Sequence, residues 1–358
     1  MTVPEFLELF IKELEINPEL REYYRLINDQ ERFLWRKAYL EQRLSYVNRQ
    51  ITNENRVIWD VGCGYATTAI FLTLNGHKVY GNTLEFYFDR IKKRLDYWSR
   101  FGAVTSFEAE YANLFDMPVK KGFYDTIIAQ DTLHHLEPID HALEILNRSL
   151  KPDGKLVVTE ENGNSLFISL KNIKTRGFNR ISYYYDERLN KTIPFGNENA
   201  RSLKKWRSLL EDHRFAMIDD ETEYIRLFPH PFFKKDTVEK VLLKESYYAK
   251  KDTLLRKLLF FGINFTAIQN KHTMENEKHL SPIEVFAGTQ WEAALVKSLL
   301  DNAEVEAFLK DEIRGTTMPW QVEPGGIGAV KVVVHPDQLE LAKQVVREFE
   351  TNRKSSED

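Results

Sequence analysis

Apolar and polar positions alternate along the middle of the chain in a pattern that predicts strands and helices in turn. Five short runs have the length of strands, and helical patterns separate them. These runs lie at 57–61, 78–81, 104–107, 126–129 and 156–158. The fourth and fifth are apolar throughout, as in strands that are covered on both faces. The alternation from residue 57 to 159 therefore predicts a doubly wound parallel sheet.

The segments on either side extend this α/β domain. Residues 1–55 have helical periodicity and many aromatic side chains, which favours packing onto the sheet. Strands predicted at 216–227 and 263–269 form an antiparallel hairpin and complete a sheet of seven strands. Residues 165–195 mix aromatic and basic side chains, a composition that fits a solvated amphipathic helix.

A polar stretch at 271–281 predicts a linker, and a separate unit follows it. Residues 282–350 show the order β-α-β-β-α, which suits a small α+β ferredoxin-like domain. Residues 351–358 read as a polar tail. The predicted domains are thus N-terminal helices at 1–55, a ligand-binding domain at 56–270 and the small domain.

Composition and charge narrow the function classes. The chain has 358 residues, of which 42% are hydrophobic, enough for two packed domains. A net charge of −4 gives no basic surface for nucleic acid, and the absence of a signal peptide or an 18-residue apolar run predicts a cytoplasmic protein without a membrane span. The single cysteine, Cys63, excludes an internal disulfide. We predict no metal site, because no histidine beyond the adjacent pair His134 and His135 has a ligand-spaced partner.

The most informative segment is the glycine turn in Asp-Val-Gly-Cys-Gly, residues 60–64. Gly62 and Gly64 let the backbone approach a ligand, and the N–H groups of the next helix point into the same space. A dinucleotide site requires a third glycine where this chain has Thr67. Asp60 would also repel a pyrophosphate, whereas it suits a cationic ligand. S-adenosylmethionine carries an ammonium and a sulfonium, and it is the cofactor we predict.

This turn resembles the glycine-rich loop of class I S-adenosylmethionine-dependent methyltransferases. The wording Gly-Asn-Thr-Leu-Glu at 81–85 is similar to cyclopropane-fatty-acid-synthase-like members. The resemblance implies that Thr83 and Leu84 line the nucleoside and that Glu85 binds the ribose, unless Glu85 only favours a helix N-terminus. It places Asn113 at the adenine, where a helix cap or turn is an equal interpretation. The predicted cofactor-binding residues are Asp60, Gly62, Cys63, Gly64, Thr83, Leu84, Glu85, Asn113 and Gln130.

The segment Leu-His-His-Leu at 133–136, followed by Lys-Pro-Asp-Gly-Lys-Leu at 151–156, resembles the same family almost throughout. His134 and His135 are the candidate general bases, although the family often uses one of them structurally. Glu161, Asn162 and Tyr24 are weaker candidates. The resemblance also implies that residues 1–55 form a lid and that an insertion at 165–215 shapes the acceptor pocket.

Residues 282–350 resemble a different family, the putative prokaryotic signal-transducing domains, which are likened to the PII nitrogen regulators. Two functions follow. The first is a methyltransferase for a small-molecule acceptor, acting on O, N or C, whose C-terminal domain regulates it or forms a homo-oligomer. The alternative is a cofactor-sensing or partner-binding protein without turnover, since the usual ribose and adenine acids are displaced or missing. Modification of an unusual lipid is a third option, supported by Thr83 and Leu84 alone.

Overall fold

The computed structural model describes twelve stretches of the chain. They are residues 1–28, 30–51, 56–84, 86–177, 179–227, 236–251, 253–270, 283–303, 305, 307–310, 329–334 and 338–355. The chain divides into two compact units, Met1–Asn270 and Lys271–Asp358. The predicted linker at 271–281 lies outside the described residues.

The first unit is built on an eight-stranded sheet. Its parallel part consists of β1 (Val57–Val61), β2 (Lys78–Thr83), β3 (Phe107–Tyr111), β4 (Tyr124–Gln130) and β5 (Leu150–Glu161), in the order β3-β2-β1-β4-β5. The order reverses direction at β1, next to β4, and ligands of open α/β sheets bind at such a switch point. The predicted doubly wound fold is confirmed.

Helices cover both faces of this sheet. On one face, α1 (Val3–Ile16), α3 (Gln30–Gln50), α4 (Thr67–Leu74) and α5 (Ile91–Trp98) contribute to one core, with α2 (Pro18–Tyr24) beside them. On the other face, α6 (Ile139–Ser149) and α8 (Leu203–Asp212) pack over a second core. The N-terminal aromatic residues Phe6 and Phe10 are fully buried in the first core. Trp35 on α3 is also buried, whereas Tyr23 is exposed, so only part of the N-terminal aromatic set is buried in the core.

The far side of the sheet differs from the prediction. The long strand β10 (Phe260–Gln269) runs antiparallel to β5 and pairs with two short strands, β8 (Phe215–Met217) and β9 (Glu223–Leu227). The predicted single strand at 216–227 is wrong, because the three acids Asp219–Glu221 form a 3-10 turn that interrupts it. The sheet therefore has eight strands instead of seven.

The third strand also lies later than predicted, at Phe107–Tyr111 instead of 104–107. Its buried and exposed positions alternate, with Glu108 and Glu110 on the exposed side. It is the outer strand of the parallel part, and such a strand has period two instead of a continuous apolar run. The search for an apolar run therefore placed it too early.

The insertion after β5 begins with α7 (Leu166–Arg176), where a helix was expected, and continues with a hairpin that the sequence did not reveal. The hairpin consists of β6 (Ile181–Asp186) and β7 (Lys191–Gly196). Two further helices, α9 (Val238–Ala249) and α10 (Leu254–Leu259), precede β10. Among the described residues, no helix is both long and apolar enough to cross a bilayer.

The second unit has a three-stranded antiparallel sheet in the order β11-β13-β12. Its strands are β11 (Ile283–Gly288), β12 (Ala307–Lys310) and β13 (Val330–Val334). Helices α11 (Gln290–Asn302) and α12 (Leu339–Ser355) pack on it around a core that includes Val296, Val332 and Val346. Thr289 and Glu292 form a capping box that starts α11. The described elements occur in the predicted order β-α-β-β-α.

Candidate functional site

The glycine turn lies where β1 leaves the sheet and α4 begins. Gly62 and Gly64 have φ angles of +69° and +54°, a conformation that glycine adopts without strain. A Cβ at Gly62 would stand 2.5 Å from the Thr132 hydroxyl oxygen, on the turn after β4. The two turns are therefore pressed together, and only glycine fits at position 62.

Asp60 lies at the end of β1 and is 4% exposed. The backbone N–H of Ala69, in the first turns of α4, donates to its carboxylate. Burial raises the pKa of Asp60 to about 7, against the lowering effect of that hydrogen bond. Among the described residues, no cationic side chain contributes to this pKa. A positive charge brought to this site would favour the ionised carboxylate and lower its pKa.

A cavity of about 550 Å³ opens at the carboxyl ends of β1, β2 and β4. Its volume is within the range of ligand pockets, roughly 300–1,000 Å³. Of the predicted cofactor-binding residues, the following line it: Asp60, Gly62, Cys63, Gly64, Thr83, Leu84, Asn113 and Gln130. Glu85 lies outside the described residues. Residues separated by as many as 70 positions are thus brought to one wall.

Two amides on the cavity wall are already bonded to the protein. The Asn113 side-chain oxygen accepts a hydrogen bond from the N–H of Phe115 at 3.3 Å. Asn113 therefore caps the short helix that follows it, as one of its two interpretations predicted. Asn82 accepts from the Trp59 indole N–H at 2.9 Å and donates to the carbonyl of Ala112 at 3.3 Å. Asn82 thus has a structural role in the wall of the cavity.

A buried ion pair ties the N-terminal helix to the cofactor turn. The Arg94 guanidinium on α5 donates to both oxygens of Glu13 on α1 at 2.8 and 2.6 Å, and both side chains are at most 2% exposed. Arg94 also donates to the carbonyl of Tyr65 and, at 2.7 Å, to the hydroxyl of Thr67. Tyr24, on the cavity wall, is hydrogen-bonded to the same hydroxyl at 2.6 Å. The N-terminal helices α1 and α2 and the glycine turn therefore share one network.

We expect Glu13→Gln to destabilise the protein by about 3–5 kcal/mol, because it leaves the guanidinium of Arg94 buried without its counter-charge. The matched control is Glu19→Gln, which breaks the exposed Arg90–Glu19 pair at 2.9 Å. That change should alter the free energy of unfolding by less than about 1 kcal/mol. Urea unfolding of the two variants measures both values, and equal effects would contradict the role assigned to Glu13.

His134 and His135 differ in their surroundings. His134 is 3% exposed, and its Nδ1 lies 2.5 Å from the Glu160 carboxylate at the end of β5. Burial alone would lower the pKa of His134, but Glu160, Asp131 and Glu198 together raise it to about 9. Glu160 also accepts the N–H groups of Thr132 and Leu133 at 3.2 and 2.8 Å. His134 is therefore a charged structural residue behind the cavity wall.

His135 lines the cavity itself. Its Nδ1 is bonded to the carbonyl oxygen of Gly196 at 2.9 Å, so Nδ1 carries the proton and Nε2 is the free nitrogen. The ring stacks on Phe195 at 4.4 Å between centroids. Burial and the charge on His134 lower the pKa of His135, so the imidazole is neutral near pH 7. Of the two candidate bases, the structure brings only this one to the cavity.

His134, His135 and Glu198 each offer a ligand-type atom, and these atoms lie within 4.8 Å of one another. The sequence did not show this group because Glu198 belongs to the loop after β7. Both Nδ1 atoms are already bonded to the protein, and the Lys171 ammonium is 3.8 Å from Glu198. Protein contacts therefore account for the grouping.

The weaker candidates have different positions. The Asn162 amide is fully buried and donates to the carbonyls of Lys257 and Phe260 at 2.8 and 2.9 Å, so it is structural. Glu161 forms an ion pair with Lys171 at 3.2 Å. Tyr24 lines the cavity, and burial raises its pKa to about 12.

Several residues of the cavity were not found from the sequence. Arg43 on α3 pairs with Asp131 at 2.6 Å and donates to Thr159 at 3.1 Å. Phe195 and Tyr184 also line the cavity; they lie on the hairpin, within the insertion that the resemblance had placed at the acceptor pocket. Glu160, near the end of β5, is not among the residues that line the cavity.

Comparison with known proteins gives two family matches. Residues 59–158 match the family described as "Methyltransferase domain". Those residues are therefore similar to a methyltransferase domain. The match bears out the predicted resemblance and the predicted cofactor, S-adenosylmethionine. Residues 283–350 match the family described as "Putative prokaryotic signal transducing protein". A search among curated proteins finds no match.

Solved structures similar to this chain include methyltransferases of low identity. A structure titled as a putative S-adenosylmethionine-dependent methyltransferase from Listeria monocytogenes is 16% identical, covers 63% of this chain and 96% of its own, and has a TM-score of 0.42. Phosphoethanolamine N-methyltransferase 2 from Haemonchus contortus, in complex with S-adenosyl-L-methionine, is 17% identical over 64% of this chain and 52% of its own, with a TM-score of 0.43. Protein PH0226 from Pyrococcus horikoshii is 16% identical over 69% and 98%, with a TM-score of 0.44.

Proposed function

We propose that the methyltransferase domain transfers the methyl group of S-adenosylmethionine to a small molecule by in-line displacement. One observation carries the proposal. One cavity is lined both by the glycine turn with Asp60 and by His135 with the hairpin. Cofactor and acceptor can therefore meet inside one cavity, which is what a direct transfer requires.

The residues present fit the cofactor. Asp60 is a buried acid without a cationic partner among the described residues, so a bound ammonium or sulfonium would supply the missing charge. The backbone at Gly62 and Gly64 is bare toward the cavity. Thr83, Leu84, Asn113 and Gln130 remain our assignment for the nucleoside side, and the backbone groups of the same turns add donors and acceptors. When bound, the cofactor supplies an electrophilic methyl group on a positively charged sulfur.

The rest of the chain orients the acceptor and excludes water. Leu40 and Leu44 on α3 form one wall, and Ile193 and Phe195 on β7 form another. We assign His135 to the acceptor, because it lines the cavity and its Nε2 is not used in the hydrogen bond to Gly196. His134 acts through Glu160 as a positioning residue for the turn that carries it.

We assign the C-terminal unit a regulatory or assembly role. The support is that it has its own core and its own family match, separate from the catalytic domain. A chain ending at residue 270 tests this assignment. Its turnover or the number of chains per particle in solution should differ from that of the full chain, and identical values of both quantities would exclude the role.

Turnover decides between an enzyme and a cofactor sensor. We expect the full-length protein, incubated with methyl-labelled S-adenosylmethionine and a small-molecule fraction of a cell extract, to label a product. The Asp60→Asn variant serves as the control and should give none. Binding of the cofactor without any labelled product would favour the sensing function, for which the internally bonded Asn82 and Asn113 are the supporting observation.

A further inference from the structure

We infer that the acceptor is a small, uncharged aromatic molecule that is methylated on a phenolic oxygen. The inference rests on the proposed function and concerns the acceptor half of the cavity, which we define by its lining residues on the N-terminal helices and the hairpin together with His135. Three properties of that half carry it: the shape and chemistry of its walls, the balance of its charges, and the state of its one candidate base.

The walls of this half are aromatic and aliphatic. Tyr24, Leu40 and Leu44 come from the N-terminal helices, and Tyr184, Ile193 and Phe195 come from the hairpin. Phe195 lies nearly parallel to the His135 ring, at 17°, and Tyr184 meets Phe195 edge to face at 82°. Flat rings set at these angles pack best against another ring. An aromatic acceptor would bury its faces here, whereas an extended polar molecule would lose hydrogen bonds to water.

The charges of this half are already balanced. Arg43 is the only lysine or arginine among the described residues that line the cavity. Its guanidinium lies 2.6 Å from the Asp131 carboxylate, and it also donates to Thr159. A phosphate or carboxylate on the acceptor would therefore find no unmatched cation. An ammonium would find an acid that Arg43 already neutralises, so a neutral acceptor fits best.

The candidate base suits a weak acid. The Nδ1–H of His135 donates to Gly196, which leaves Nε2 to accept a proton. Burial and His134 lower the pKa of His135; Gly196, Glu198 and Glu160 act in the opposite direction. A phenol has a pKa of about 10, within reach of such a base, whereas an aliphatic hydroxyl is far less acidic. His135 can thus assist a phenol and gives little help to an alcohol.

The step balances without a further reactant. The phenolic oxygen forms a bond to the methyl carbon, and its proton passes to Nε2 of His135. The carbon–sulfur bond breaks with its electron pair remaining on sulfur. The products are an aryl methyl ether, S-adenosylhomocysteine and a protonated imidazole that returns its proton to solvent.

The test uses the full chain and four probes, each of which has a six-membered ring with a methyl group opposite its polar substituent. They are 4-methylphenol, 4-methylaniline, 4-methylbenzoate and 4-methylcyclohexanol. Cofactor binding is measured first, by calorimetry, so a protein that does not bind S-adenosylmethionine defeats the proposed function and not this inference alone. Binding of each probe in the presence of S-adenosylhomocysteine is then followed by ligand-observed NMR, and methyl transfer by mass spectrometry.

We expect 4-methylphenol to bind in preference to the charged and the non-aromatic probe and to be the one that gains a methyl group. Preferred binding or methylation of the amine, the benzoate or the cyclohexanol would overturn the inference. A protein that binds cofactor but none of the four probes would overturn it as well.

Two variants separate the base from the fold. His135→Asn keeps a donor for Gly196 but removes the basic nitrogen. It should lower kcat about 100-fold or more while leaving the dissociation constants of cofactor and phenol within about twofold. His213→Asn is the control, because His213 also bonds a backbone carbonyl through Nδ1, at 2.7 Å from Leu209, and does not line the cavity. Equal kcat values for the two variants would remove His135 from the reaction.

Discussion

Replacing Asp60 with asparagine is expected to weaken S-adenosylmethionine binding about 100-fold and, at the same time, to stabilise the ligand-free protein above pH 7. The loss of affinity corresponds to about 3 kcal/mol, the size expected when a buried charge loses its partner. The gain in stability arises because burial disfavours the ionised carboxylate. An asparagine still offers Ala69 a side-chain acceptor but carries no charge.

The sign of the pH effect follows from the direction of the shift. The pKa of Asp60 rises from 3.8 to about 7 on folding, so the folded protein binds this proton more tightly than the unfolded chain does. Below about pH 4, burial of Asp60 does not lower the free energy of unfolding of the wild-type protein. This free energy falls as the pH rises from about 4 to 7, and the full loss is present above pH 7. The advantage of Asp60→Asn should grow over the same window and reach at most about 4 kcal/mol.

Asp125 provides the opposite case and therefore the control. Burial acts to raise the pKa of Asp125, but the N–H of Val57 and the cations of Lys151 and Arg56 lower it overall. Asp125→Asn should destabilise the protein above about pH 4 and leave cofactor affinity unchanged, because Asp125 does not line the cavity. Urea unfolding between pH 4 and 8 compares the two variants. If Asp60→Asn destabilises the protein as Asp125→Asn does, the burial argument for Asp60 is wrong.

Gly62→Ala is expected to remove measurable cofactor binding. The new methyl group would meet Thr132 at 2.5 Å, and the residue would also need a φ of +69°. The backbone turn must move to relieve the contact, and the cavity wall moves with it. The left-handed conformation alone costs only about 1–2 kcal/mol, so the collision with Thr132 is the larger effect.

Gly76→Ala separates the effect of a positive φ angle from the effect of the collision with Thr132. Gly76 also has a positive φ, +86°, but a Cβ there meets nothing within 4 Å. It should lose some stability and keep its cofactor affinity. Adding Thr132→Ala to Gly62→Ala removes the colliding atoms and should restore part of the binding. Calorimetric titration of the four proteins tests the account, and unchanged affinity in Gly62→Ala would contradict it.

The parallel sheet was predictable because its strands are short apolar runs separated by helices. The glycine turn was predictable because Asp60, Gly62 and Gly64 lie close together in one short motif. Local patterns did not predict the remaining parts of the fold. The break between β8 and β9 could be predicted only from the three acids Asp219–Glu221, which cannot lie in a buried strand. The hairpin 181–196 carries exposed tyrosines on its first strand, so it lacks the apolar alternation that predicts strands.

The different roles of His134 and His135 could not be predicted, because the two residues are neighbours in the sequence. Their roles depend on Glu160, which lies near the end of β5, and on Gly196, which ends the hairpin. A Cβ at Gly196 would overlap the carbonyl oxygen of His134, so the hairpin is fitted closely to this turn. The network of Glu13, Arg94 and Tyr65 likewise joins distant segments. Such contacts between remote parts of the chain decide the role of each residue, and they have no signature in local sequence.

The most direct measurement is a calorimetric titration of the wild-type protein with S-adenosylmethionine at pH 7.5 and pH 5.5. We predict one site per chain and an affinity roughly 25-fold weaker at the lower pH, where a proton must leave Asp60, with no such difference in Asp60→Asn. Absence of binding by S-adenosylmethionine and S-adenosylhomocysteine, together with binding of a nicotinamide or flavin dinucleotide, would contradict the account.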